Sequence, residues 1–495
     1  MENSLQVPTK LNKTSLMAWI AMIFVVIPGI YFVAGIQAFI LAVSLLALTL
    51  VGVGIVKKFY AQAIVLVVGC ALLIAASYIH PDLAITAKST GSRFLDVFVE
   101  IKSVFSHSMA GLGLTIMVIA GFSRYMTDIG AAGKLVEISV KPIGKIKSKY
   151  ILLGSCYIFM QLLALFISSP SGLALLMMAT LYPILRSLGC SKASVAAVIA
   201  SGVCIDYGPS ATGSVQIAKL TDYDLFSFFI TKQIPIVWIL FIFIGVMHMI
   251  MQAYWDRKEG VDTEDEEGFE VSNDSTNIPK YYAILPVIPM ILLFTFSSFS
   301  SQWLPESLHF RIDVVSAMLM SFFIAFIIDS VRTLDLHAAS NKIAGLFDQM
   351  GQSFTTVVSI LVCAQVLAAG MIKVGFIDSL FSFIPSGSDT QALLVVVFSG
   401  LIFFSSVVLG TGSTFNAFAP VAAEVAKGGG LSVFKLLIPM HFSASLGRSF
   451  SPIAGVTIAV AGLVGLTPLE IIKRNAVQLG SAYILMLILS NFLIS

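Results

Sequence analysis

Ser168-Ser169-Pro170-Ser171-Gly172 and Tyr207-Gly208-Pro209-Ser210-Ala211-Thr212-Gly213-Ser214 interrupt apolar sequence in the first half of the chain. Gly410-Thr411-Gly412-Ser413-Thr414 and Ser445-Leu446-Gly447-Arg448-Ser449-Phe450-Ser451-Pro452 do so again in the second. Proline removes an N–H, and glycine admits turns that other residues resist. A helix broken inside lipid leaves backbone donors and acceptors that protein, water or a ligand must satisfy. One such break is easily read as a site of close helix packing, since Ser and Gly also line helix–helix contacts. Four breaks in matched order read better as broken elements that share a binding site near the membrane midplane.

The surroundings of the breaks fix the class of protein. Of 495 residues, 57% are hydrophobic and 11% charged, and apolar runs long enough to cross a bilayer recur along the chain. The composition is that of an all-α polytopic membrane protein. A net charge of +2 gives no footing for a nucleic-acid partner. Basic residues gather in loops: Lys10 and Lys13, then Lys57 and Lys58, then Lys134, Lys141, Lys145, Lys147 and Lys149. Two spans separate each group from the next, so all three share one side, and the positive-inside rule places the N-terminus in the cytoplasm. The run 16–33 reads as a retained helix and not a cleaved leader. Cys70, Cys156, Cys190, Cys204 and Cys363 are isolated and read as packing residues.

The chain divides into four parts. Residues 1–35 form a tail and an extra transmembrane helix. Residues 36–255 form a first repeat, with a hairpin near 150–188 and an unwound helix near 206–214. Residues 256–280, which include Glu264-Asp265-Glu266-Glu267, read as a polar linker. Residues 281–495 form a second repeat, with a hairpin near 390–426 and an unwound helix near 445–452. A loop is expected near 80–100 and a connector around Pro385 and Gly387. Gly130 matches Gly375, Pro209 matches Pro452, and Leu220-Thr221 before Asp224 matches Leu466-Thr467 before Glu470. An odd number of crossings between equivalent points inverts the second copy, and two inverted repeats are the favoured architecture.

The breaks also carry the chemistry. Ser168, Ser169, Ser171 and Gly172, then Thr212, Gly213 and Ser214, then Thr411, Gly412, Ser413, Thr414 and Asn416 offer hydroxyls and helix-end amides suited to an anion. Their carbonyls and hydroxyls also suit Na+. Arg448, with Ser449 beside it, reads as a fork for a substrate carboxylate or as a snorkelling or structurally paired cation. Asp206 reads as a proton- or sodium-coupling group, a partner of Arg448, or a helix-end cap. His441 and His107 read as neutral structural histidines. No cofactor, nucleotide or catalytic-metal motif is present in the sequence, and no nucleophile–base set marks an enzyme.

Gly121-Phe122-Ser123-Arg124-Tyr125-Met126-Thr127-Asp128-Ile129-Gly130-Ala131, Ser168–Pro183 and Ser445–Gly462 resemble the DcuC-type anaerobic C4-dicarboxylate transporters, within the ion transporter superfamily. The resemblance runs from about residue 36 to the end. It implies uptake, exchange or efflux of succinate, fumarate, malate or aspartate across a bacterial inner membrane, by antiport or by symport with Na+ or H+. It implies re-entrant hairpins, a scaffold and a transport domain that moves as an elevator, and a homodimer in the lipid bilayer. The hairpin tips and unwound helices, with Arg448, would hold the carboxylates. The second break departs from the family pattern: no acid follows Gly213, while Asp206 lies upstream. That departure keeps open another small carboxylate or an amino acid as cargo, with an anion channel as the remaining option.

Overall fold

The computed structural model describes residues 27–57, 59–140, 146, 148–259, 278–297, 305, 310, 312–383 and 388–494. Every regular element among them is helical. Most of the run 16–33, the acidic stretch 264–267, Lys10, Lys13, Lys58, Lys141, Lys145 and Lys147, and the connector residues Pro385 and Gly387 lie outside the described residues.

Helices α1 (Ile27–Val56, broken by a kink at Gly35, whose φ is 84°), α2 (Ala61–Ile79), α3 (Arg93–Asp128) and α4 (Ala131–Val140) open the chain. Helices α5 (Lys149–Ala164), α6 (Pro170–Ser187), α7 (Lys192–Ser201), α8 (Thr212–Leu220) and α9 (Leu225–Glu259) complete a first set. The second set follows the same order. It comprises α10 (Lys280–Thr295), α11 (Val314–Thr333), α12 (Leu336–Val374), α13 (Phe376–Phe383), α14 (Ser388–Leu409), α15 (Thr414–Gly428), α16 (Val433–Ser449), α17 (Gly455–Val464) and α18 (Pro468–Leu493). Among the described residues, eight helices are long and apolar enough to span a bilayer.

The two sets agree in detail as well as in order. Both α3 and α12 carry a π turn, at Met109–Gly113 and Phe354–Val358. After each, a glycine at positive φ reverses the chain into a short helix: Gly130 at 75° and Gly375 at 87°. Packing is reciprocal. Helix α2 lies on α12 as α11 lies on α3, α6 meets α17 as α15 meets α8, and α9 packs on its own counterpart α18.

The sequence expectations need four adjustments. The loop after α2 is shorter than residues 80–100, because α3 begins at Arg93. That first stretch is amphipathic and carries Asp96, Glu100 and Lys102, which hides its helical character from hydropathy. The second break spans 202–211, so Thr212, Gly213 and Ser214 already belong to α8. The fourth break is 450–454, and Ser445, Arg448 and Ser449 are helical. Gly447 does not unwind α16; it lets α16 press on α14, where a Cβ would fall 2.5 Å from the Phe403 carbonyl oxygen. Finally, Asp256 is not linker. It sits in the last turns of α9, 8% exposed.

Asp256 is buried because it meets Arg474 of α18. One Arg474 Nη1 donates to Asp256 Oδ1 at 2.8 Å and to Ser194 Oγ at 2.8 Å, while Nη2 donates to Glu259 Oε2 at 2.5 Å. Ser191, which caps α7, and Ser194 both donate to Asp256 Oδ1. Deeper between the same helices, His248 Nε2 lies 3.0 Å from Ser201 Oγ, and Asn475 Nδ2 donates to Ala197 O at 2.8 Å. Lipid gives apolar side chains no reason to associate with protein in preference to lipid, so polar contacts of this kind fix which helices adjoin. They tie the two sets together at α7, α9 and α18.

Removing one partner from a buried ion cluster leaves the other charges uncompensated, at a cost of about 3–5 kcal/mol. Arg474→Ala should therefore lower the unfolding midpoint of the purified protein in detergent sharply. An unchanged midpoint would show that the cluster does not hold α9, α7 and α18 together.

Candidate functional site

All four breaks open on one cavity of ≈ 400 Å³, within the range of small-molecule sites. Helix α6 presents Pro170 and Ser171, α8 presents Thr212 and Gly213, α15 presents Phe415 and Asn416, and α17 presents Gly455 and Val456. Each of these is the N-terminal turn of its helix. Four positive helix ends thus face one volume. At α6 the cap is filled, since Ser169 Oγ accepts from Gly172 N at 3.1 Å. The N-caps of the other three are Ala211, Ser413 and Ala454, and none makes a side-chain capping bond. Their first-turn amides keep donor capacity for an anion.

The unwound stretches are held open by side chains. Across break two, Tyr207 Oη donates to Gln161 O at 2.8 Å and Ser210 Oγ to Leu165 O at 3.1 Å. Gly208 N donates to Gln233 Oε1 at 3.1 Å, and Gln233 Nε2 donates to Ser214 Oγ at 2.8 Å. Oriented to satisfy both ends of its amide, Gln161 accepts from the N–H groups of Cys204 and Ile205 at 3.2 Å and donates to Ile205 O at 3.1 Å. In break three, Thr411 Oγ1 accepts from Ser413 N at 3.2 Å, and the Ser406 and Thr414 hydroxyls bond each other. Gly410 has φ +66°, and a Cβ there would lie 2.9 Å from the Ile453 carbonyl. Glycine alone lets breaks three and four touch backbone to backbone at this point.

Arg448 closes the cavity from the last turn of α16. Its Nη2 donates to Val203 O at 2.8 Å, so a freed carbonyl of break two, just past α7, anchors the guanidinium. The other nitrogen, Nη1, is 3.9 Å from where a Gly412 Cβ would stand. Asp206 Oδ2 lies 3.6 Å from His441 Nε2, beyond hydrogen-bond length but within ion-pair range. The cavity therefore offers a cation anchored by backbone, a carboxylate, an imidazole and three uncapped helix ends.

Of the residues singled out from sequence, Ser171, Asp206, Thr212, Gly213, Thr411, Gly412, Ser413, Asn416 and Arg448 line the cavity. The others serve it from behind or lie beside it. Ser169 caps α6 by binding Gly172 N, Ser214 is buried against Gln233, and Thr414 is buried against Ser406. Ser168 faces a separate narrow space with Phe122, Pro209 and Met290, and Ser449 a small cleft behind Arg448. Sequence reading assigned no cavity role to His441, Phe415, Thr356 or Val357, and gave Ser445 one only as part of the unwound helix near 445–452; all five line it. A signal existed for two of them. His441, Ser445 and Arg448 follow a spacing of four and three, one face of a single helix. Nothing local marked Thr356 and Val357, because the π turn that bears them has no sequence signature.

The family of C4-dicarboxylate anaerobic carriers, DcuC, matches residues 10–494. The chain belongs to this family. The match begins ahead of residue 36, so the family pattern includes part of the first apolar run. The anaerobic C4-dicarboxylate transporter DcuC of Escherichia coli K12 is 31% identical over 442 residues, which cover 89% of this chain and 94% of that protein. The DcuC protein of Shigella flexneri matches to the same extent. Two solved structures share the fold. The Neisseria gonorrhoeae MtrF structure, described as of a class of antimetabolite efflux pumps, superposes with a TM-score of 0.53 at 11% identity, over 91% of this chain and 97% of that one. The Alcanivorax borkumensis YdaH transporter gives 0.54 at 13% identity, over 86% and 98%. As a DcuC family member the chain is a multi-pass membrane transporter and not an enzyme.

A methyl group at Gly410 must enter a left-handed conformation, at about 1–2 kcal/mol, and also strikes the Ile453 backbone. Gly410→Ala is expected to reduce transport at least about tenfold while the protein still reaches the membrane. Gly465→Ala shares the positive φ, at +67°, but meets nothing within 4 Å. It should spare transport, and equal losses in the two variants would show that the contact between the breaks is not what matters.

Proposed function

We propose that this protein is a secondary active transporter of C4-dicarboxylates, among them succinate, fumarate, malate and aspartate, in the bacterial inner membrane. The observation that carries the reading is the convergence of three uncapped helix N-termini and the anchored guanidinium of Arg448 on one cavity. A small acid with two carboxylates can engage the guanidinium at one end and helix amides at the other. The names of the family and of its relatives support the same substrate class.

Alternating access by an elevator movement is the mechanism we infer. The reciprocal packing of α1–α9 and α10–α18 supports two inverted repeats. Helices α5–α9 and α14–α18 supply almost the whole cavity wall and form the transport domain, with α5–α6 and α14–α15 as re-entrant hairpins. Helices α1–α4 and α10–α13 form the scaffold, which among the described residues reaches the cavity only through Thr356 and Val357 of α12. So thin a contact suits a site that travels with one domain. Transport runs as exchange or as symport with Na+ or H+, with the N-terminus cytoplasmic and two copies forming a homodimer. Asp206 favours a second reading within this class: its carboxylate opposes Arg448 and suits the ammonium of an amino acid such as aspartate.

The decisive measurement is flux of labelled succinate and fumarate into liposomes holding the purified protein, with counter-substrate inside and with imposed Na+ or pH gradients. Saturable counterflow is expected. Failure of every C4 acid to exchange would refute the assignment, and flux without counterflow would indicate a channel. A charge-assisted hydrogen bond contributes about 1.5–3 kcal/mol, so loss of a two-bond fork in Arg448→Ala should lower transport at least about 100-fold. Asp206→Asn should weaken competition by aspartate more than competition by succinate. Equal effects on the two would remove the amino-acid reading.

A further inference from the structure

His441 is 3% exposed, and neither of its ring nitrogens has a hydrogen-bond partner. A buried polar group left without a partner is costly, so an imidazole kept in that state in the wall of a substrate cavity calls for a reason. Packing holds the ring in place. Its centroid is 5.1 Å from that of Phe415 and 5.7 Å from that of Phe442. Gly213 clears the space in front of it, because a Cβ there would stand 2.2 Å from both Cδ2 and Nε2. The ring is therefore fixed, lines the cavity and keeps its hydrogen-bonding capacity unspent.

The charges around it give the reason. Among the described residues that line the cavity, the charged or titratable ones are Arg448, Asp206 and His441. Arg448 shares α16 with His441, and Asp206 comes from the break between α7 and α8, 3.6 Å from Nε2. The neighbours on α8 and α15, Gly213, Phe415 and Asn416, do not titrate. With His441 neutral, Arg448 and Asp206 cancel. A dicarboxylate brings two negative charges into this cavity between helices, where uncompensated charge is expensive. Histidine is the side chain able to add a positive charge near neutral pH. A carboxylate arriving beside it favours the imidazolium, and by linkage the imidazolium favours the carboxylate to the same degree.

Resting on the dicarboxylate reading above, we propose that His441 takes up one proton with each dicarboxylate bound and surrenders it on release, so that H+ is the coupled ion. The proton comes from bulk water and adds to the ring nitrogen that lacks hydrogen. No bond of the substrate changes. Asp206 serves as the fixed counter-ion that holds the imidazolium in place, and Arg448 remains the permanent anchor.

Titration of the purified full-length protein with succinate, by calorimetry in buffers of different ionisation enthalpy, counts the protons taken up on binding. Wild-type protein should take up about one proton per succinate, and its affinity should fall up to about tenfold per pH unit on the alkaline side of the imidazole titration. His441→Gln keeps a polar side chain but cannot titrate. It should bind succinate more weakly, with no proton uptake and no change in affinity with pH. Proton uptake in His441→Gln equal to wild type would overturn the proposal, as would succinate binding by wild type without uptake at any pH from about 5.5 to 8.5. Asp206→Asn gives an independent check, since loss of the counter-ion should move the uptake profile to lower pH, and an unmoved profile counts against the proposal. Failure of folded wild-type protein to bind succinate or fumarate at every pH would instead overturn the dicarboxylate reading, and this proposal with it.

Discussion

Backbone groups set free by broken helices govern this molecule. Inside a bilayer an unpaired N–H or C=O costs several kcal/mol, and four breaks expose many at once. The structure satisfies some with side chains, as Gln161 does for Cys204 and Ile205 and Ser169 for Gly172. It satisfies one with a charge, where Arg448 takes the Val203 carbonyl. It leaves the first-turn amides of α8, α15 and α17 around a single cavity. The cost of breaking the helices and the capacity to hold an anion therefore have one origin.

The same constraint explains why the two sets of helices cannot be separated. Arg448 of the second set grips the Val203 carbonyl of the first. Gln216 of α8 reaches the Asn416 carbonyl of α15 at 3.4 Å. Each set completes the other's backbone. Away from the cavity, the Arg474 cluster binds α18 to α7 and α9, so the part of the molecule that carries the site is cross-linked at two levels. A body of that kind suits movement as a unit.

Much of the site could be read from the chain. Gly, Ser, Thr and Pro inside apolar sequence mark breaks by their own backbone chemistry, and nine of the residues singled out there line the cavity. Element ends were harder to place. Proline and glycine appeared to unwind α16 from residue 445, yet the helix persists to Ser449 because Gly447 serves close packing with Phe403 and Ser406. Asp256 looked like the start of a polar linker because its partner, Arg474, is 218 residues away. The place of His441 in the cavity wall could not be read from the chain, because nothing local shows that Gly213 and Asp206 face it.

The sequence alone determined that the chain lies in a membrane, that its helices break in two matched pairs, and that the breaks carry glycines, prolines and hydroxyls. These follow from composition and from local backbone preferences. Only the tertiary structure decided that four breaks enclose one cavity, which hydroxyls line it and which support it from behind, and that His441 and Asp206 adjoin. Those facts depend on contacts between residues hundreds of positions apart, whose pairing is set by packing and charge compensation and leaves no mark in the local sequence.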